Sequence, residues 1–189
     1  MNHKYKIKTA NKIKYNPWKI FFVFFSIICF QSYSQEFENI RTEYDELYQR
    51  TIYYPRKASM NDDAFYIYLV KTRTGKLNLR LRIQIFGIYP IDISEYIVET
   101  DLVQERIIPN SGEIDRGASN RLYKSIYDVL FTRKIYDIID KFVKSENSKL
   151  RYMGKRVNDW KTIKEKERHG IKDILALYTE LGGKFDYWY

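Results

Sequence analysis

The sequence predicts an α+β fold: an antiparallel, sandwich-like β-sheet formed by a strand-rich N-terminal part, with two C-terminal amphipathic helices packed on it. Three observations carry this expectation. Apolar residues alternate with period two between residues 64 and 85, the period becomes helical after Val129, and a second helical stripe runs from Ile171 to Leu181. Strands first and helices later place the helices together on one face of an antiparallel sheet.

The first 34 residues stand apart. The segment "IFFVFFSIICF", residues 20–30, is the one long apolar run of the 189-residue chain. A helix needs ~20 apolar residues to span a bilayer, so this run is too short for an anchor. Lys4, Lys6, Lys8, Lys12, Lys14 and Lys19 precede it with no acid, and Ser32 and Ser34 follow it as small residues at positions −3 and −1. That is the order of parts in a secretory signal peptide, cleaved after Ser34. A lipoprotein signal would acylate Cys29, but it requires a small residue before the cysteine and Ile28 stands there. The expected organisation is a signal peptide over 1–34 and a single α+β domain over 35–189, periplasmic or extracellular.

Cleavage changes the chemistry of what remains. Removing six lysines and no acid from 33 basic and 24 acidic residues leaves 27 against 24, a net charge of +3 in place of +9. Nucleic acid is therefore not an expected partner. The lone cysteine, Cys29, is lost, so the fold must hold by packing without disulfides.

The lead-in, residues 36–55, is tyrosine-rich and carries only a weak strand signal. Phe65, Ile67 and Leu69 then alternate with Tyr66, Tyr68 and Val70, and Leu77, Leu79, Leu81, Ile83 and Ile85 alternate with Asn78, Arg80, Arg82 and Gln84. The two runs form a hairpin with one buried and one wet face, turning at Thr74-Gly75-Lys76, where glycine supplies positive φ. Shorter strands are expected at 95–101, 103–109 and 121–129, with residues 109–120 read as turn. Ile135, Ile138, Ile139, Phe142 and Val143 form one helical stripe. Residues 148–160 read as a hairpin turning at Met153-Gly154-Lys155. Thr162 and Glu165 suit a capping box that opens the last helix, and Gly182 suits its left-handed C′ position. The ending "GKFDYWY", with Phe185, Tyr187 and Tyr189, resembles the terminal strand of outer-membrane β-barrel proteins over five to seven residues. Membrane strands run ~9 to 11 residues and a barrel needs at least eight of them, so a short edge strand or aromatic plug is expected.

The residue inventory excludes several chemistries. After cleavage His169 is the sole histidine, in a helix, with no G-x-S-x-G elbow to serve. Thiolate and histidine metal sites lack ligands, and Asn61-Asp62-Asp63 lacks the spacing of a calcium loop. No phosphate-binding glycine loop occurs, so no nucleotide, metal or other cofactor is expected and no catalytic residue is named. A carboxylate pair acting on envelope glycans or peptides needs only two suitably placed acids, which sequence does not identify. From residue 121 to 172 there are fifteen basic and seven acidic residues, and Lys149, Arg151, Lys155 and Arg156 flank Tyr152 as a candidate anion-binding patch.

The expected function is accordingly that of an exported, non-catalytic binding, accessory or inhibitor-like protein whose partner is a protein or envelope component. Its membrane contact is transient, through the signal peptide. Alternatives are a carboxylate-dependent hydrolase and a weak polyanion binder acting through the 121–172 region. N-terminal sequencing of the exported product is expected to begin at Gln35; a product retaining residues 4–30 in the membrane would overturn the compartment assignment.

Overall fold

The strand pair with the clearest alternation becomes the centre of a larger sheet. In a computed structural model that describes residues 38–59, 61–119 and 122–185, Ala64–Thr72 (β3) and Leu77–Gly87 (β4) form an antiparallel hairpin. Gly75 adopts φ +83° in its turn, and the Thr72 hydroxyl accepts the Lys76 N–H at 3.1 Å. Before it, Ile40–Asp45 (β1) and Arg50–Pro55 (β2) make a second hairpin out of the tyrosine-rich lead-in. Strands Ile93–Thr100 (β5), Gln104–Ile107 (β6), Ile114–Ser119 (β7) and Leu122–Leu130 (β8) follow. Helix Arg133–Lys144 (α1), strands Ser148–Gly154 (β9) and Val157–Thr162 (β10), and helix Glu165–Glu180 (α2) complete the order. The strands form two antiparallel sheets, β1-β2-β3-β4-β8-β7 and β10-β9-β5-β6, so the fold is α+β as expected. Residues 1–34, read from the sequence as a signal peptide, lie outside the described residues, as do Tyr187 and Tyr189.

One face of the large sheet carries Phe65, Ile67, Leu69, Leu79, Leu81, Ile83 and Ile85, all at or below 3% exposure. Helix α2 packs on β1, β2 and β3, and α1 packs on β5 and α2. The Phe142 ring of α1 meets Phe65 at 5.0 Å, and Tyr96 of the small sheet meets Tyr127 of the large one at 5.6 Å. Buried Ile135, Ile138, Ile139 and Phe142 are the predicted stripe of α1, and the Thr132 hydroxyl caps it by accepting the Ile135 N–H at 3.3 Å. Phe185 stacks on Tyr136 at 4.6 Å and contacts Tyr178 at 5.0 Å, an aromatic plug against both helices.

Four local expectations change. The face of β4 expected to be wet is a half-buried polar layer: Gln84 is fully buried, its amide donating to the carbonyls of Ser59 and Asp62 at 2.8 and 2.7 Å. Residues 114–119, expected as turn, form the edge strand β7 paired with β8, and only the segment before Ile114 turns. An edge strand with Asp115, Arg116 and Gly117 buries little, so it shows no apolar alternation.

The small hairpin turns at Lys155-Arg156, one residue later than expected, because Gly154 still pairs with Val157. Gly154 is required by close approach instead: a Cβ there would lie 1.7 Å from the Asp92 carbonyl oxygen, where β5 shifts register. Finally, Thr162 ends β10 opposite Lys149 and does not cap α2. The N3 acid is Glu167, which accepts the Lys164 N–H at 2.9 Å and pairs with Lys161 at 3.0 Å. At the other end Gly182 takes φ +89°, and the N–H groups of Gly182 and Gly183 reach the carbonyls of Thr179 and Tyr178, a Schellman termination.

Burial of phenols gives a test of this packing. Burial first, then neighbouring charge, raises Tyr54, Tyr66, Tyr68, Tyr96, Tyr127 and Tyr152 above the ordinary tyrosine value, with Tyr66, Tyr127 and Tyr152 pushed up to about 12. A raised folded pKa contributes stability that is present below pH ~10 and lost as pH rises through the folded values. Absorbance at 295 nm should show Tyr66, Tyr68, Tyr96, Tyr127 and Tyr152 largely un-ionised at pH 11 in the folded protein and titrating as it unfolds. Normal titration near pH 10 without unfolding would contradict the two-sided core.

Candidate functional site

The face of the large sheet turned away from the helices holds a polar constellation that strand register dictates. Antiparallel partners share a face, so Ile52, Val70 and Asn78 line up across β2, β3 and β4, and Tyr68, Arg80 and Leu130 across β3, β4 and β8. Arg82 stands opposite Tyr66 on one side and Asp128 on the other. Together with Arg50, Tyr54 and Thr72 these side chains, Tyr66 apart, line a groove of about 590 Å³ across four strands.

Asp128 ties the groove together. The Tyr68 hydroxyl donates to its carboxylate, lying 2.9 and 2.8 Å from the two oxygens. Arg80 donates its Nε to Oδ1 at 2.7 Å and an Nη to the Asp128 carbonyl at 3.0 Å. Arg82 reaches Oδ2 at 3.3 Å and donates its Nε to Gln84 at 3.2 Å. Burial opposes the Arg80 charge most strongly, but the hydrogen bonds and charge interactions with Asp128 and Tyr68 together outweigh it and raise the guanidinium pKa. Burial, reinforced by the Asp128 charge, also keeps Tyr68 a neutral donor. The Tyr54 ring stacks on Tyr68 at 5.3 Å and lies under the Arg41 guanidinium at 5.2 Å, so the aromatic wall is itself held on both sides. What the arrangement offers is a rigid display of N–H and O–H donors over a partly apolar floor.

Other clefts hold further acids. Asp63 lines a pocket of about 250 Å³ with Asp62, Lys161 and Glu167; burial raises its pKa, and its carboxylate accepts the Phe86 N–H at 2.7 Å. Asp173, also raised by burial, shares a cleft of about 210 Å³ with His169, which is exposed and lies 4.0 Å from Glu165. Among the described residues no group of three His, Cys, Asp or Glu side chains could hold a metal ion, and no helix is long and apolar enough to cross a membrane.

The candidate patch divides in two. Lys149 and Arg151 lie on the outer face of the small sheet, where Lys149 stands opposite Glu99 and Arg151 opposite Trp160, while Leu150 and Tyr152 turn inward and are buried. Arg151 is engaged locally: it lies over the Trp160 ring at 5.1 Å and donates to Asn158 at 2.8 Å. Lys155 and Arg156 occupy the hairpin turn and are exposed. The groove residues Tyr68, Arg80, Arg82 and Asp128 were not singled out by sequence; the available signal was two arginines on the supposed wet face of a strand. No protein-family model, curated protein or solved structure matches the chain.

The two halves of the basic patch can be compared directly. Lys149→Glu with Arg151→Glu and Lys155→Glu with Arg156→Glu change net charge equally. On a sulfonate resin both pairs should advance elution by the same salt increment. A distinctly larger shift for the first pair would establish a built anion site on the small sheet.

Proposed function

We propose that this chain is an exported, non-catalytic binding protein, an accessory or inhibitor-like module, and that it takes its ligand in the groove on the open face of the large sheet. The observation that carries this reading is the Asp128 cluster: two arginines of β4 and a tyrosine of β3 held around one carboxylate of β8 at the groove wall. Side chains fixed in advance lose little entropy when a ligand arrives, which is how a small site gains affinity. The lysine-rich, apolar and small-residue order of residues 1–34 supports export.

A carboxylate hydrolase would need two acids facing each other across the cleft, about 5 to 10 Å apart. Asp128 is the one acid that lines the groove, and its oxygens are occupied by donors. The arrangement therefore favours holding a ligand over turning one over.

Filling the groove without altering its charge tests the assignment. Asn78 is half-buried in the lining, so Asn78→Trp should obstruct the groove. Ligand-observed NMR with small sugars, dipeptides and organic acids should find compounds that bind the wild type and lose at least about tenfold in affinity with the variant, whose circular dichroism is unchanged. Affinities unaffected by the tryptophan would place binding elsewhere, and absence of any binder at millimolar concentration would remove the proposal.

A further inference from the structure

The charge balance of the groove restricts what it can hold. Three guanidinium groups, Arg50, Arg80 and Arg82, line it. Asp128 pairs with Arg80 and Arg82, and Asp45 takes the Arg50 Nε at 2.9 Å. Three cations against two carboxylates leave a net charge of +1. The excess falls at Arg82. Arg80 makes a 2.7 Å bond to the carboxylate and a second to the carbonyl, whereas Arg82 makes a single 3.3 Å contact to Asp128. Its second Nη group makes no bond to a described residue.

The rest of the lining sets the shape of the ligand. Ile52 and Val70 form an apolar floor, Tyr54 a flat aromatic wall, and Leu130 an exposed apolar rim. Donors outnumber acceptors, because both Asp128 carboxylate oxygens are already engaged. Arginine forks match planar carboxylates through paired N–H bonds. A dianion would bring a second negative charge beside Asp128 with no cation left to meet it.

Resting on the reading of this groove as the binding site, we infer that its ligand is a small monoanion: a carboxylate, held by Arg82, carried on an apolar or ring-shaped body that lies over Ile52 and Val70. The carboxylate can be borne by a hydrophobic acid, a uronic sugar or a peptide C-terminus, which share this chemistry.

Calorimetric titration at pH 7.5 with 3-phenylpropionate, its neutral amide and the dianion phenyl phosphate tests the inference, with glucuronate and N-acetyl-alanyl-alanine as further carboxylates. At least one carboxylate should bind; 3-phenylpropionate, if it is that one, should bind about tenfold or more tighter than both its amide and phenyl phosphate. Arg82→Gln should bring acid and amide to equal affinity, and Asp128→Asn, by adding one net positive charge, should raise phenyl phosphate affinity about tenfold. Where Asp128→Asn fails to fold, the wild-type comparison and Arg82→Gln decide alone. Acid and amide binding equally, both lost in Asn78→Trp, would overturn the monoanion inference and leave the groove standing. Binding indifferent to Asn78→Trp would overturn the groove itself, and binding of none of the five probes would overturn the inference.

Discussion

Strand β3 is buried on both faces, and most of the architecture follows from accommodating it. From Ala64 to Val70 every residue is below 9% exposure, although one face carries Phe65, Ile67 and Leu69 and the other Tyr66, Tyr68 and Val70. A sheet normally buries one face and solvates the other. Here the first face is closed by two helices and the small sheet, whose partners are mainly apolar and aromatic. The second face closes over itself: Ile52, Ala64, Tyr66, Tyr68 and Val70 cluster, with Tyr54 and Ala58 packed against them. Because phenol hydroxyls must find partners when buried, the second face has to be polar above its apolar floor. Asp128 meets that need for Tyr68, and Arg80, Arg82 and Gln84 complete the polar layer around it.

Asp128 is where the requirement is settled. Its side chain keeps 21% exposure and those of Arg80 and Arg82 keep 30% and 24%, so this is neither a surface pair nor a dry one. Fully buried pairs lose several kcal/mol when one partner is removed, while exposed pairs contribute about 0–1 kcal/mol. An intermediate ~2 kcal/mol applies here. That is enough to hold the side chains in one geometry, and it makes stability and the shape of the groove depend on the same carboxylate.

The legible parts of the fold are those whose signal is local. Period-two alternation from Leu77 to Ile85 gives β4, and the i, i+3, i+4 spacing of Ile135, Ile138, Ile139 and Phe142 gives α1, because each burial pattern is set by one neighbouring surface. The turn at Gly75 and the termination at Gly182 are legible because positive φ selects glycine. Gly154 shows the limit: it too is a glycine beside a turn, yet what requires it is the Asp92 backbone, some sixty residues earlier. The groove is hidden for the same reason. Asp128 and Arg82 are 46 residues apart and meet only because β8 pairs with β4, across the intervening β5, β6 and β7 of the chain, as well as with its sequence neighbour β7. A strand order of that kind is not written in alternation, so two arginines on a supposed wet face looked like ordinary solubility.

A carboxylate engaged on both oxygens also bears on the kind of work a site can do. General acid–base catalysis needs a group with a lone pair or proton to exchange with the substrate. Asp128 receives the Tyr68 hydroxyl and both guanidinium groups, so exchange would require dismantling the contacts that hold β3, β4 and β8 in register on this face. Recognition has the opposite requirement. It gains from donors that cannot move, since every rotamer fixed before binding is one whose entropy is not lost on binding. The two-sided burial of β3 thus produces, as its physical consequence, a hydrogen-bonded array of donors beside an apolar floor, which is the arrangement on which the proposed binding role rests.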